Sequence, residues 1–248
     1  MMSIAYGFAN EPNGLSAASA ILRSMQRGTF SIVARCRKSG DYGVASATAA
    51  PCVGALLPFA QEGVGAIATQ AWVNVNLGHV GLELMRNGLS AKNAIEALLA
   101  EDRGRSKRQV IAIDAESVFG YTGKECTDAK GHMLGDDFAV AGNILADKRV
   151  LETMAETFRK SKGELSSRLL TVIEAGQAGG GDYRGKLSSA LLVASRCPRI
   201  YHNVRVDLND DPVGELRRVY DECVRLQEEY GDDVDGEELR IRVSRVQR

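Results

Sequence analysis

No stretch of this 248-residue chain approaches the ~20 consecutive apolar residues that a membrane-spanning helix needs. Neither charge is in excess: 31 basic residues face 32 acidic ones, for a net charge of −1. That balance gives no electrostatic reason to expect nucleic acid or an anionic membrane as partner. The five cysteines (Cys36, Cys52, Cys126, Cys197 and Cys223) are scattered, odd in number and form no CxxC pair. A disulfide framework or zinc ribbon is therefore not expected, and reduced, mostly buried thiols are. His79, His132 and His202 share no HExxH or paired spacing, so metal binding is unsupported and no cofactor is expected. There is no GxSxG elbow, no local Cys–His pairing and no internal repeat. The first 28 residues carry no secretory pattern, since Arg23 and Arg27 follow the small apolar patch instead of preceding a longer one. A cytoplasmic location follows as the expectation.

What is present is ordinary globular material, 44% hydrophobic and 25% charged, long enough for one sizeable core. Residues 1–28 stand apart: rich in Ser, Ala, Asn and Gly, with a turn at 10–14 and a short helix expected at Ser16–Met25. They read as an extension, an arm or a propeptide. Residues 29–230 read as the folded domain, and 231–248 as a charged, exposed tail.

From Thr29 the pattern is regular. TFSIVARC places Phe30, Ile32 and Ala34 on one face of a strand and Ser31, Val33 and Arg35 on the other. Lys38–Asp41 turns it into YGVASAT as a hairpin. VGAIATQAW and RQVIAIDA read as strands covered on both faces, and SVFGYTG, SSALLVAS and IYHNVRVD extend the sheet. Two helices lie between the early strands, the first closed by Asn87-Gly88 and the second capped by Ser90. Two more lie between Ala146 and Ala175, parted near Gly163, and a last one starts at Asp211-Pro212. Hairpin-like strands beside grouped helices indicate antiparallel sheets covered by helices. The mixed faces of the last helix suit either a homodimer contact or packing on its own sheet.

Two motifs bear on chemistry. Gly180–Lys186 matches GxxxxGK, yet Leu187 stands where a hydroxyl should reach magnesium, and the segment runs from helix into strand, the reverse of a phosphate-binding loop. Its glycines suit either close approach to a ligand or a tight structural turn. The second motif is Gly28-Thr29. If the bond before Thr29 is cut, the freed α-amine, with a pKa of about 7.7–8.0, can act as general base for the hydroxyl of the same residue.

The stretches TFSIVAR, EGVGAIATQAW, LELMRNGLSA, QVIAIDA, YTGKECTDAKGH, FAVAGNILA, AGQAGGGDYRGKLSSALLV and VRVDLNDDPVGELRR cover most of the chain from Thr29 to about Leu226. On them the chain resembles the bacterial and archaeal family called domain of unknown function 1028, classed with the N-terminal-nucleophile hydrolases. The resemblance implies an α+β fold, a four-layer αββα sandwich of two antiparallel sheets, with Thr29 as nucleophile at the start of the first strand. Family members typically carry Met directly before this Thr, whereas 28 residues precede it here, so activity requires their removal. The expected substrate is a small-molecule or peptide amide, with Asn143 holding the oxyanion and Gln70, Asp182 and Arg184 contacting substrate or amine. Asn143 reads equally as the cap of a following helix. The alternative function is a non-catalytic binding or scaffold protein with the same fold.

Overall fold

Alternation in the strands decides which side chains meet which layer. The computed structural model describes residues 28–147 and 149–230. TFSIVAR forms β1 (Thr29–Arg35), which turns back into β2 (Tyr42–Thr48) in register Thr29 opposite Thr48. A short α1 (Val53–Leu56) leads to β3 (Pro58–Gln61) and β4 (Gly65–Ala71). The helices α2 (Asn76–Arg86) and α3 (Ala91–Glu101) follow, the second capped as expected, its Asn93 N–H donating to Ser90 Oγ at 3.2 Å. Then come β5 (Arg108–Ile113), β6 (Val118–Thr122), β7 (Gly131–Leu134) and β8 (Phe138–Asn143). The chain ends its described part with α4 (Arg149–Lys160), α5 (Leu165–Ala178), β9 (Ser188–Ala194), β10 (Asn203–Val206) and α6 (Pro212–Tyr230).

The strands form a six-stranded sheet, β10-β9-β2-β1-β8-β7, and a four-stranded sheet, β3-β4-β5-β6. Every pairing is antiparallel. Phe30, Ile32 and Ala34 pack with Met154, Leu169 and Ile173 from α4 and α5, and α6 joins this core through Val213, Leu216 and Tyr220. Val33 and Val44 meet Ala68, Ile111 and Ile113 between the sheets. Ile67, Val110 and Ala112 face α2 and α3, against Leu77, Ile95 and Leu99. Burying each large aliphatic side chain contributes about 1.5–3 kcal/mol, so period-two alternation is what fixes the register of both sheets. The protein is a mixed α+β fold with two antiparallel sheets and, among the described residues, six α-helices.

Several expectations need correction. The sequence reading found no strand in PFAQ, GHML or FAVAGN, yet these are β3, β7 and β8. Two are only four residues long, and the third is mostly small residues, so none carries a strong β signal. Of the five cysteines only Cys126 is buried; Cys36 and Cys223 are half-buried, and Cys52 and Cys197 are exposed. Cys52 sits in a left-handed conformation beside α1, in a turn with no apolar shelter to offer it. Gly176 belongs to α5, not to the glycine-rich loop, and lies against Met154 and Phe30. The leader helix expected at Ser16–Met25 and the charged tail lie outside the described residues.

Candidate active site

Between the sheets the packing is aliphatic at one end and polar at the other. Thr29, Ser31, Ser46, Thr48, Gln70, Gln109 and Asn143 are all buried and cluster where β1 begins. They come from five strands, and their hydroxyls and carboxamides knit the two sheets together. Ser31 Oγ donates to Gln70 Oε1 at 2.5 Å, and Gln70 Nε2 donates to Gln109 Oε1 at 2.7 Å. Asn143 Nδ2 donates to the same Gln109 oxygen at 2.9 Å. Gln109 Nε2 in turn donates to Thr122 Oγ1 and to the carbonyls of Gly131 and Gly142, at 2.9, 3.0 and 2.9 Å. Buried polar groups are tolerable only when paired, and this network pairs nearly all of its members. Ser46 Oγ is the exception, buried with no hydrogen-bond partner among the described residues.

Thr29 lies at the centre of this end. It is flanked by Thr48 on β2 and Asn143 on β8. Its hydroxyl donates to Thr48 Oγ1 at 3.1 Å, and Thr48 Oγ1 donates to the Gly28 carbonyl. Thr48 thus touches both the candidate nucleophile and the carbonyl of the bond that would have to be cut. The carboxylate of Asp182 lies against the same junction: a Cβ placed on Gly28 would come within 2.5 Å of Asp182 Oδ2 and 2.8 Å of Ile144 Cβ. Only glycine fits at residue 28 without displacing one of them.

Asp182 is delivered by the loop between α5 and β9, which runs from helix into strand and so lacks the geometry of a phosphate cradle. Positive φ at Gly180, Gly181 and Gly185 gives the loop its turns. It is stitched over the start of β1 by Ala146 N–H to Gly181 O, Tyr183 N–H to Ile144 O and Leu187 N–H to Thr48 O. Arg184 clasps the Asp182 carboxylate, with Nη2 at 2.7 Å from Oδ2 and Nε at 3.1 Å from Oδ1. Ile144, next to Asn143, holds φ at 53°. A β-branched residue there carries strain of about 1–3 kcal/mol, and its N–H and C=O are both engaged, by Asp128 O and Tyr183 N–H.

The expected site residues divide accordingly. Thr29, Asn143, Asp182 and Arg184 converge on the Gly28–Thr29 junction. Asn143 ends β8, and no helix begins until Arg149, so it caps none. Gln70 is engaged through both ends of its carboxamide in tying β4 to β1 and β5. Thr48 and Gln109 escaped the sequence reading. The available signal was a lone carboxamide inside RQVIAI, a strand otherwise covered on both sides, which must find buried partners. Among the described residues no group of three or more His, Cys, Asp or Glu side chains could hold a metal ion, and no helix is long and apolar enough to cross a membrane.

His132 closes the network, its Nδ1 at 2.8 Å from Thr122 Oγ1. Thr122 Oγ1 accepts from Gln109, so its own proton serves His132 Nδ1 and the ring proton rests on Nε2. Burial pushes the imidazole below its ordinary value of 6.5. The folded state therefore resists protonation, and the stability gained is fully present above pH ~6.5 and declines as pH falls below it. The urea midpoint should drop more between pH 7.5 and 5.5 in the wild type than in His132→Gln; equal drops would show that His132 is not the titrating group.

The comparisons follow the same boundaries. A crystal structure of protein SPO2555 from Silicibacter pomeroyi, described with the family model DUF1028, matches with a TM-score of 0.73 and 32% identity over 79% of this chain and 85% of that one. No curated protein matches. The family model described as "Family of unknown function (DUF1028)" matches residues 29–216, beginning at the threonine on which the buried polar cluster converges, and the chain belongs to that family.

Proposed function

We propose that the protein is an amide-bond hydrolase of the N-terminal-nucleophile type, its two sheets and flanking helices forming that superfamily's four-layer αββα arrangement. Thr29 becomes the nucleophile once the leader is removed. The observation that carries this reading is the chemistry gathered at one peptide bond: the Thr29 hydroxyl, the Thr48 hydroxyl on the Gly28 carbonyl, and the Asp182 carboxylate against Gly28.

Removal of the leader frees the Thr29 amine at the end of β1. That amine takes the proton from Thr29 Oγ1 as the oxygen attacks a substrate carbonyl, then returns it to the leaving amine. Asp182, facing the same point, favours the protonated amine and orients it, while Arg184 keeps the carboxylate ionised and in place. Asn143 spends one of its two Nδ2 hydrogens on Gln109 and keeps the other to donate to a developing oxyanion. Water then releases the acyl group from Thr29.

The test uses protein expressed as Met-Thr29 so that Met removal exposes the amine, with an amide library and acylating probes read by intact mass. A covalent adduct on Thr29, and turnover that falls at least ~10³-fold in Thr29→Ala, are expected. Absence of both adduct and turnover rejects the hydrolase.

A second reading is favoured by one observation: in the continuous chain the Thr29 hydroxyl is buried and bonded to Thr48, and its nitrogen is part of the Gly28–Thr29 peptide. This is the non-catalytic binding or scaffold protein. It requires that native protein isolated from cells retain the leader, which intact mass measures directly.

A further inference from the structure

Among the described residues seven large apolar side chains stand more than a third exposed, and five of them surround the end of the sheets where β1 begins. Leu56 lies on α1, which follows Thr48 and leads to Leu57, whose carbonyl accepts from Thr69 N–H, one residue before Gln70. Trp72 and Val73 come just after Gln70, which holds Ser31. Tyr183 adjoins Asp182 and hangs on Ile144. Leu208 follows β10, whose Val206 pairs with Ser189 beside Ser188, and Ser188 pairs with Thr48. Leu208, Tyr183 and Trp72 are 70%, 69% and 55% exposed. Such clustering marks a surface that binds something, since single exposed apolar residues are otherwise scattered.

The charges at this end are already neutralised. Arg184 holds Asp182, Lys186 holds Asp211, Arg205 holds Asp207, and Arg108 holds Asp102. Inside the apolar rim the floor is uncharged, made of hydroxyls and carboxamides that include the unpartnered Ser46. A charged ligand would break an existing ion pair or bury its charge against neutral groups, at a cost that a neutral ligand avoids.

Resting on the hydrolase reading for its chemistry, we infer that the substrate is an electrically neutral amide bearing an apolar or aromatic flank. The flank lies on the rim and the amide reaches the uncharged floor at Thr29. A flank that buries about 100 Å² of apolar surface tightens binding ~10–100-fold.

Trp72 is the single tryptophan of the chain, so its fluorescence reports on the rim directly. The probes are N-acetyl-phenylalanine amide, N-acetyl-glycine amide and free phenylalanine, titrated into the full chain and into the form beginning at Thr29. The phenylalanine amide is expected to produce a saturable blue shift in at least one form, with the other two probes at least tenfold weaker. Tyr183→Ser should weaken it at least fivefold, while Leu134→Ser, at the far end of β7, should not. Repeating the titration in Thr29→Ala reads the rim apart from turnover, so a failed hydrolase and a failed rim give different results. Equal affinity for the three probes overturns the inference. So does a shift that tracks protein concentration with a dimer abolished by Leu208→Ser, which would make the rim a contact between two copies.

Discussion

Gln109→Leu is expected to lower stability by about 3–5 kcal/mol, read as a shift of the urea midpoint with little change in slope. Leucine nearly matches the volume, so the loss is not a cavity effect of the kind that follows truncation to alanine. It comes from the groups left behind. Gln109 Oε1 receives both Gln70 and Asn143, and Nε2 serves Thr122 and the Gly131 and Gly142 carbonyls. All these partners would stay buried or half-buried with one bond missing, at about 1–3 kcal/mol for each that finds no substitute. An aliphatic trim at the other end of the same layer, Ile111→Val, should cost only about 1 kcal/mol. If the two variants cost the same, the polar network is not what ties the sheets together. The loss should also loosen Asn143, so catalysis, where present, should fall faster than stability alone explains.

That contrast bears on what the amino-acid sequence discloses. The strands that were legible, β1, β2, β4, β5 and β9, are long, bounded by turn residues and rich in β-branched or alternating apolar residues, so periodicity locates them. The helices announced themselves through Asn87-Gly88, Ser90, Gly163 and Asp211-Pro212, each a local stop or start signal with its own mechanism. By contrast β8, FAVAGN, sits at the centre of a buried sheet with small residues that only tertiary packing selects. The candidate site was legible only in part, for a related reason. Thr29, Asn143 and Asp182 lie more than a hundred residues apart at the extremes, and it is sheet register, not local pattern, that brings them to one bond. Thr48 was hidden because a threonine ending a strand has no signature of its own; its role appears only once Thr29 is set opposite it.

Separating Asp182 from Arg184 is the other large perturbation expected. The Asp182 side chain is fully buried and that of Arg184 is 18% exposed, and they meet through two bonds. Removing the carboxylate leaves a guanidinium poorly hydrated beside the Gly28–Thr29 junction, so Asp182→Ala should cost about 3 kcal/mol. Arg184→Ala alone strands the buried carboxylate and should cost at least as much. The double variant removes both charges together, and it should be more stable than the sum of the singles by at least ~1.5 kcal/mol. Additive losses would mean that the loop is held by its backbone stitches to Ile144, Ala146 and Thr48, with the ion pair contributing little. Asp182→Asn separates shape from charge, since it keeps an acceptor for Arg184 while losing the negative charge. In the trimmed enzyme a neighbouring carboxylate raises the pKa of the Thr29 amine, so Asp182→Asn lowers it. The rising limb of the pH–rate profile, which follows the free amine, should then move to lower pH. A purely structural Asp182 would reduce the rate at every pH and leave that limb where it was.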